Sequence, residues 1–448
     1  MYRINHCLIL WTAILVAASV EYVLGQAADN LVVLDVDQAV ELALRLNPNL
    51  KIARDKENMA DAQIRETAAD ALPHLSLNST YTRNVKRPAF FFKIGERVQK
   101  IEIGENNSYI GNFQLEQTIF QNGQFGVRKA RRIANLFSET AREGTKLTKD
   151  EVILNVRRTF YTVLLSQQVL EVFRETLSQT EAHFENVKKK YEEGVAAEFD
   201  LLRSEVDRSE AKAGFIEAQN NLELAKSALK NAIGLPLDKE LNVSGALQYQ
   251  PVPEQDIVRR SRKALSLRPE MKQLNLQLEM ARLNIAIQKG QYLPSLSLVS
   301  NYQFQGQSSD FQFGPTERST SFTTGLNLRF DIFTGFATSA RIQKAEAETN
   351  QLQHQMETIG QLIELEIEQA TRRMKDAQER IVARQKSVEQ AQKAYDIAEV
   401  RYDSGIGTQL ELFDARLALN RTRTNYLQAI YDYNIALFEW QKAVGIIQ

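Results

Sequence analysis

The chain has 448 residues, with 55 Lys and Arg against 56 Asp and Glu and a formal net charge of −1. This balance lacks the positive excess with which proteins bind nucleic acid through its phosphates, and so argues against a general DNA- or RNA-binding role. Hydrophobic residues make up 43% of the chain, too many for wholesale disorder, and only 9 Pro and 20 Gly predict long uninterrupted helices.

Residues 1–25 have the pattern of a secretory signal peptide. Arg3 precedes a short apolar run that stops at Glu21, and small residues suited to cleavage follow. The run is shorter than the roughly 20 residues of a membrane helix, which argues against an uncleaved anchor. The single cysteine, Cys7, falls in this segment. The mature chain is therefore expected to lack disulfides, a Cys nucleophile and thiolate metal ligands.

The rest of the chain is predicted to be two tandem copies of one unit, residues 26–234 and 256–445, joined by a linker at 235–255. Four short motifs occur once in each copy and in the same order, and such self-similarity marks a duplicated structural unit. The motif pairs are Asn47-Pro48 and Arg268-Pro269, Leu72-Pro73 and Leu293-Pro294, Ile119-Phe120 and Ile332-Phe333, and Tyr191 with Gly194 and Tyr402 with Gly405.

Each copy is predicted to contain helices around one β-hairpin. After each Leu-Pro the hydrophobic period changes from helical to two, and after the hairpin it becomes a seven-residue repeat typical of supercoiled helices. Copy one is predicted to have a helix broken at Pro48, a hairpin at about 74–120, a long helix at about 125–192 and a return helix at about 198–233. Copy two is predicted to have a hairpin at about 295–333, a long helix at about 337–403 and a return helix at about 409–444.

The four predicted strands cannot close a barrel within one chain, because the smallest membrane barrels have about eight strands. Three chains would supply roughly 12 strands, each long enough to cross a bilayer when tilted. The alternative is a soluble sandwich of two hairpins that caps a coiled coil. Alternation of polar and apolar residues cannot by itself distinguish a face in contact with lipid from a face in a protein core.

Together these features resemble the TolC family of outer-membrane efflux proteins, from about Asp35 to Gly445. The resemblance implies an α+β membrane protein, a homotrimer whose 12-stranded β-barrel in outer-membrane lipid continues into a periplasmic α-helical barrel. It implies a passive exit duct for small molecules, docked to a periplasmic adaptor (membrane fusion protein) and an inner-membrane pump. Type I protein secretion is the alternative role within transport. A periplasmic coiled-coil scaffold without a pore is the alternative from a different class.

The resemblance also implies site residues. Gly194-Val195 and Gly405-Ile406 would lie at helix tips that contact the adaptor, although a helix-ending turn alone explains the glycines. An acidic pore constriction would comprise Glu411, Asp414 and Asp200, although Glu411 also fits a capping box. Tyr402 is the gating candidate. Some relatives have an Arg where this chain has Gly407, so their latch is not expected here, and Arg203 stands at copy one's equivalent of Asp414.

Two further features concern the loop at 84–107 and the histidines. The loop contains Phe90-Phe91-Phe92, which fits an interfacial aromatic cluster or a loop packed across the barrel mouth, and equally an aggregation-prone accident of sequence. None of His74, His183 and His354 has a second His or Cys at metal-ligand spacing, and His183 is expected to be solvated or interhelical. No nucleotide, metalloprotease or hydrolase motif occurs, so neither an enzyme nor a cofactor is expected.

Overall fold

A computed structural model describes residues 31–95, 97–310 and 312–447, so the predicted signal peptide at 1–25 lies outside the described residues. The chain divides into two compact units. Of the described residues, unit 1 takes those up to Leu50, those in Lys149–Arg259 and those from Ile367 onward, and unit 2 takes those in Lys51–Thr148 and Arg260–Glu366. Each unit thus takes segments from both predicted repeats.

The secondary structure alternates helices with two hairpins and a few short strands. The helices are α1 (Val36–Leu46), α2 (Pro48–Ala69), α3 (Arg128–Glu192), α4 (Glu198–Ile233), α5 (Glu254–Ser261), α6 (Ala264–Leu267), α7 (Pro269–Gly290), α8 (Ala337–Asp403) and α9 (Gln409–Ala443). The strands are β1 (Leu31–Leu34), β2 (His74–Arg83), β3 (Ala89–Ile94), β4 (Arg97–Glu102), β5 (Asn107–Gln121), β6 (Gln124–Phe125), β7 (Glu240–Val243), β8 (Ser295–Ser308) and β9 (Arg318–Arg329).

The two long helices bury the residues of the seven-residue repeat. Helix α3 has 65 residues and α8 has 67, which at ~1.5 Å per residue makes each about 100 Å long. Val156 and Val163 in α3 are fully buried, and Met374 and Ile381 in α8 are 2% exposed. The predicted helical packing seam is therefore present in both long helices.

In unit 1, helix α4 ends against the break between α1 and α2. The side-chain amide of Asn47 donates to the carbonyl of Ala232 at 2.8 Å, and its oxygen accepts from the backbone N–H of Asn49 at 2.9 Å. Gly234 closes α4 in the left-handed region, with φ +91°, where a side chain would strike the Leu46 carbonyl. Asn47 thus starts one short helix and holds the end of another.

In unit 2, the two hairpins form one antiparallel sheet in the order β2-β5-β8-β9, with β6 beside β5. The central pair, β5 with β8, runs from Asn107 opposite Ser308 to Phe120 opposite Leu296. Strands β2 and β9 lie at the two edges of this path. The sheet therefore contains the four strands predicted from the alternation.

The structure differs from the predicted elements in three details. Strand β9 ends at Arg329 and does not reach 333, because its partner β8 begins opposite at Ser295 and the preceding Pro294 has no N–H to extend the ladder. The loop at 84–107 contains the hairpin of β3 and β4. The linker at 235–255 contains β7, which pairs in parallel with β1.

Candidate functional site

The four-stranded sheet of unit 2 has one apolar face. Directly opposed residues of antiparallel strands point to the same side, so the register decides which side chains share a face. Tyr302 stands opposite both Phe113 and Phe322, and Leu298 stands opposite Leu326. The apolar face comprises Leu75, Leu77, Tyr81, Tyr109, Phe113, Leu115, Leu296, Leu298, Tyr302, Phe304, Phe322, Leu326 and Leu328.

Two local features make this face compatible with a lipid environment. A register shift between Thr118 and Phe120 turns the Phe120 side chain to the same side as Leu296, which it opposes. The hydroxyls of Ser300 and Thr324, which interrupt the face, hydrogen-bond to each other at 2.8 Å. Polar groups that contact lipid need such internal partners, since hydrocarbon offers none.

The opposite face is polar along all four strands, interrupted by Ile110 and Val299. Amide side chains predominate, and Asn301 of β8 stands opposite Gln114 of β5 and Thr323 of β9. The polar face comprises Ser76, Asn78, Thr80, Asn112, Gln114, Glu116, Ser297, Asn301, Gln303, Gln305, Ser321, Thr323 and Asn327.

The apolar face is uncovered in the single chain. Phe322, Leu326 and Leu328 are 66–67% exposed, whereas the inner face of a soluble sandwich buries such residues between two sheets. A sheet with one lipid-compatible face, one water-compatible face and two edges fits a segment of a membrane barrel.

In unit 1, the turns that end α3 and α8 have the same geometry. Gly194 has φ +75° and Gly405 has φ +74°. The N–H groups of Val195 and Ile406 donate to the carbonyls of Lys190 and Arg401 at 2.8 and 3.0 Å. These left-handed glycine caps explain why the motif recurs in both copies. Val195 and Ile406, 75% and 71% exposed, project from the two turns.

Glu411 belongs to a capping box at the start of α9, which was the alternative interpretation of this residue from sequence. Its N–H donates to the Thr408 hydroxyl at 3.2 Å, and its carboxylate accepts from the Thr408 N–H at 3.4 Å. The same carboxylate lies 3.7 Å from the guanidinium of Arg401. Glu411 is exposed, but its carboxylate already interacts with the backbone at the start of α9 and with the Arg401 guanidinium.

Asp414 and Asp200 differ in their surroundings. Asp414 lies one turn beyond Glu411 on α9 and is exposed, with no ion pair to any described residue. Asp200 is half-buried in the first turn of α4, and its backbone carbonyl accepts from the side-chain amide of Gln409 at 3.3 Å.

Tyr402 lies in a cluster of rings and cations near the end of α8. Its ring centroid is 5.1 Å from that of His183 and 5.3 Å from the ammonium of Lys190. Burial, and then the nearby carboxylates of Asp200 and Asp403, raises the pKa of the Tyr402 hydroxyl. The tyrosine therefore remains neutral at physiological pH.

Sequence reasoning missed the polar contacts that join α9 to α3 and to α4 behind the turns. The Gln409 amide lies 3.1 Å from Nε2 of His183. Arg416, 4% exposed, donates to the carboxylate of Asp207 and lies 5.0 Å from the ring of Phe413. Burial raises the pKa of Asp207 although Arg416 favours its charged form. Gln409 and Arg416 follow no short motif, so only their helical spacing from buried Leu412 and Leu419 could have indicated them.

At Gly407, where the resemblance led to the expectation that no arginine latch forms, the backbone leaves no room for a side chain. A Cβ at Gly407 would lie 2.9 Å from Cβ of Arg401 and 3.0 Å from the backbone N of Tyr402. Distances this short require the turn to move. The glycine thus permits the tight approach of the turn to the end of α8.

The described residues offer no metal site and no helical membrane span. No group of three or more His, Cys, Asp or Glu side chains among them is placed to bind a metal ion. Each helix within those residues is either too short or too polar to cross a bilayer.

Comparisons with known proteins agree with this geometry. TolC of Escherichia coli strain K12, an outer membrane protein, is 22% identical over 425 residues, 92% of this chain and 82% of that protein. The proteases secretion protein PrtF of Dickeya chrysanthemi is 23% identical over 428 residues, 90% of this chain and 87% of that one.

Solved structures share the fold over most of the chain. The CmeC outer membrane channel of Campylobacter jejuni superposes with a TM-score of 0.76 at 19% identity, covering 92% of this chain and 85% of that one. The outer membrane protein VceC of Vibrio cholerae gives 0.72 at 18% identity, covering 92% and 96%.

A sequence profile described as "Outer membrane efflux protein" matches residues 39–235 and 261–445, most of the chain. This match confirms the resemblance drawn from the paired motifs and gives the outer membrane as the location. The chain belongs to the outer membrane efflux protein family.

Proposed function

We propose that three copies of this chain form a passive exit duct through the outer membrane for small molecules. The observation that carries the proposal is the two-faced sheet of unit 2, whose edge strands β2 and β9 each have a side that pairs with no other described strand. Edge pairing between copies would remove these free edges, as closed barrels do. Three sheets of four strands would give a 12-stranded barrel with apolar side chains toward lipid and amides toward water.

The chain supplies no energy in this proposal, and it is not an enzyme. Its relatives are outer-membrane channels, and its sequence has no nucleotide-binding or catalytic motif. An inner-membrane pump would drive transport. A periplasmic adaptor would contact the paired turns, where Val195 and Ile406 offer exposed apolar side chains next to Gly194 and Gly405.

The acidic residues on α9 and α4 would set the ion preference of the duct. Asp414 is the principal candidate because it is exposed and has no ion pair to a described residue, whereas the Glu411 carboxylate is engaged in the cap. Asp200 would contribute less, since it is half-buried. Rings of carboxylates in a narrow pore favour cations over anions. Tyr402 would act in gating through its contacts with His183 and Lys190.

Single-channel conductance in a planar bilayer tests the duct and its constriction together. We expect wild-type protein to give cation-preferring steps, and Asp414→Asn to reduce the preference. The matched control is Asp238→Asn, the same charge change at an exposed loop position outside both candidate sites. Absence of conductance in wild type, combined with release from membranes by carbonate, would overturn the duct.

Protein secretion is a second candidate, favoured by the similarity to PrtF, whose name places it in protease secretion. The two cargoes separate in a host that lacks its own outer-membrane duct. Restored dye export without protease release supports small-molecule efflux, and the reverse result supports secretion.

A further inference from the structure

The hairpin of β3 and β4 is a cationic, aromatic ribbon in a chain that is otherwise nearly neutral. Residues 83–105 contain six cations and three anions, whereas the whole chain has a net charge of −1. The same stretch contains three consecutive phenylalanines. Dense positive charge beside exposed aromatic rings is typical of segments that contact anionic membrane surfaces.

The ribbon continues the pairing of β2 with β5. The N–H of Asn84 donates to the carbonyl of Asn106 at 2.7 Å, and that of Ile103 donates to Pro88 at 3.0 Å. Strand β2 leads away from α2 and β5 leads back toward α3, so the hairpin lies at the end of the sheet opposite these helices. With the helices in the periplasm, this end lies on the outer surface of the membrane.

The apolar side chains of the ribbon are uncovered on both of its faces. Phe90 and Phe92 share one face and are 58% and 43% exposed, together with Ile101 at 45%. Phe91 and Val98 lie on the other face and are 67% and 66% exposed. Such a group of aromatic side chains, left in water, would expose apolar area that a membrane interface would accept.

The cations divide into an internally paired set and an available set. Arg87 lies 3.1 Å from the Glu102 carboxylate and Lys100 lies 2.7 Å from it. Lys86, Lys93 and Arg97 are exposed and have no ion pair with a described residue. The paired set is neutralised by a carboxylate within the ribbon, and the available set offers charge to an external anion.

Two further arginines lie near this end of the sheet. Arg83 ends β2 and Arg318 begins β9, and the register places both on the apolar face. Arg83 follows Tyr81, and Arg318 stands in the row of Tyr81, which runs through Tyr109 and Gly306. Arginines at the end of a lipid-facing surface extend their guanidinium groups to the headgroups. The cationic ribbon thus begins where the apolar face of the sheet ends.

We propose that this hairpin lies edge-on in the headgroup layer of the outer leaflet, so that both of its faces contact lipid, with its phenylalanines at the interface and Lys86, Lys93 and Arg97 on lipid phosphate groups. The occupant is a phosphate-bearing lipid surface, because it alone satisfies both the apolar rings and the available cations. A ribbon folded across the water-filled mouth would leave the rings in water and the cations without phosphate. The inference rests on the proposed membrane-spanning duct.

The test places a fluorescent reporter in the ribbon of the full-length trimer. Phe91→Trp is selective, because the other tryptophans are Trp11 in the predicted signal peptide and Trp440, which is 2% exposed. The protein is reconstituted in nanodiscs of phosphatidylcholine with or without phosphatidylglycerol. A nitroxide on the lipid headgroup quenches indoles that reach the interface.

We expect strong headgroup quenching in phosphatidylglycerol discs, weaker quenching in pure phosphatidylcholine, and loss of the difference in high salt. The triple variant Lys86→Gln, Lys93→Gln, Arg97→Gln should lower the ratio of bound to free ribbon roughly a hundredfold, at about fivefold for each cation near an anionic surface. The control triple variant, Lys188→Gln, Arg384→Gln, Lys386→Gln, removes the same charge from exposed helical positions and should quench like wild type.

Equal quenching in the two lipids, or quenching that the hairpin variant leaves unchanged, would overturn the proposal. A solvent-exposed, unquenched Trp would place the ribbon over the mouth. Conductance of the same preparations separates this outcome from failure of the duct. A conducting trimer with an unquenched reporter rejects lipid docking alone, whereas a preparation that neither inserts nor conducts rejects the duct on which the inference rests.

Discussion

Nε2 of His183 on α3 lies 3.1 Å from the side-chain amide nitrogen of Gln409 on α9. The same amide nitrogen donates to the backbone carbonyl of Asp200, while Oε1 of Gln409 is buried and accepts no hydrogen bond from a described residue. In this arrangement the imidazole accepts at Nε2 and holds its proton on Nδ1. A second proton would face the Gln409 amide hydrogens, so the amide would have to turn and release Asp200.

Acid should therefore destabilise the packing of α3, α4 and α9 around His183. Burial, followed by the charges of Arg416 and Lys190, lowers the pKa of His183 from 6.5 to about 4, with Asp403 opposing the shift. The folded-state pKa lies below the unfolded one, so the unfolded chain binds the proton first. The contribution of neutral His183 to the free energy of unfolding is therefore fully present above about pH 6.5. It is lost as the pH falls toward 4, and the loss is at most about 3 kcal/mol per chain.

Hydrogen exchange at pH 7 and pH 5 measures this effect in the turn segments 183–200 and 402–414. After each rate is corrected for the slower intrinsic exchange at pH 5, lower protection factors at pH 5 than at pH 7 in wild type, with no such drop in His183→Gln, are the expected result. His354→Gln is the control, since the His354 side chain is 79% exposed and packs against no helix end. Equal acid sensitivity of wild type and His183→Gln would assign the effect to another group.

The ion pair of Arg416 with Asp207 should be the costliest polar contact to break in unit 1. Arg416→Met leaves the half-buried Asp207 carboxylate without its cation, and loss of one partner of a buried pair costs about 3 kcal/mol. Adding Asp207→Leu should recover much of that loss, because the uncompensated charge is removed. Denaturation midpoints of the two single variants and the double variant give the coupling.

The exposed pair of Arg372 with Glu368 provides the comparison. Its side chains are 78% and 59% exposed, so breaking it should change stability by about 0.5 kcal/mol or less. If breaking either pair lowers stability by a similar amount, burial of Arg416 does not determine the loss of stability.

Adjacent residues of β9 should respond in opposite ways to the same substitution. Leu326 lies on the apolar face and Asn327 on the polar face. Leu326→Arg would place a charge in lipid at a cost of about 2–4 kcal/mol near the midplane, so we expect fewer assembled trimers in the outer membrane. Asn327→Arg should assemble normally and shift the channel toward anions.

Trimer yield on semi-native gels and reversal potential in asymmetric salt measure the two outcomes. If Asn327→Arg blocks assembly while Leu326→Arg does not, the assignment of the two faces is reversed.

The sequence was most informative where a period extends over many residues. Buried Val156 and Val163 in α3 lie at the predicted seven-residue spacing, and Phe322 and Leu326 share a face as the period of two predicts. A long period averages over many contacts, so one exception does not destroy it. The helices and strands could therefore be derived from the period, whereas the trimeric barrel rested on the family resemblance.

Contacts between distant helices could not be predicted from sequence. His183 and Gln409 are 226 residues apart, and no spacing rule relates residues of two helices whose rotation is unknown. The hairpin of β3 and β4 was missed because Phe90-Phe91-Phe92 breaks the alternation of a half-buried strand, and both faces of this ribbon are exposed. The predicted roles of Asp414 and Tyr402 rest on the family resemblance. No pattern of side chains in the sequence predicts these roles by itself.

Two glycines in helices should respond oppositely to alanine, because only one is needed for a close backbone approach. A Cβ at Gly290, the last residue of α7, would overlap the carbonyl group of Asn122, in the turn after β5. Backbone cannot yield as a flexible side chain can, so Gly290→Ala should destabilise unit 2 by about 1–3 kcal/mol. Gly360 in α8 has no atom within 4 Å of its would-be Cβ, and Gly360→Ala should stabilise the helix by about 1 kcal/mol. Thermal melts of both variants measure the difference, and a neutral Gly290→Ala would show that the turn carrying Asn122 can move away from α7.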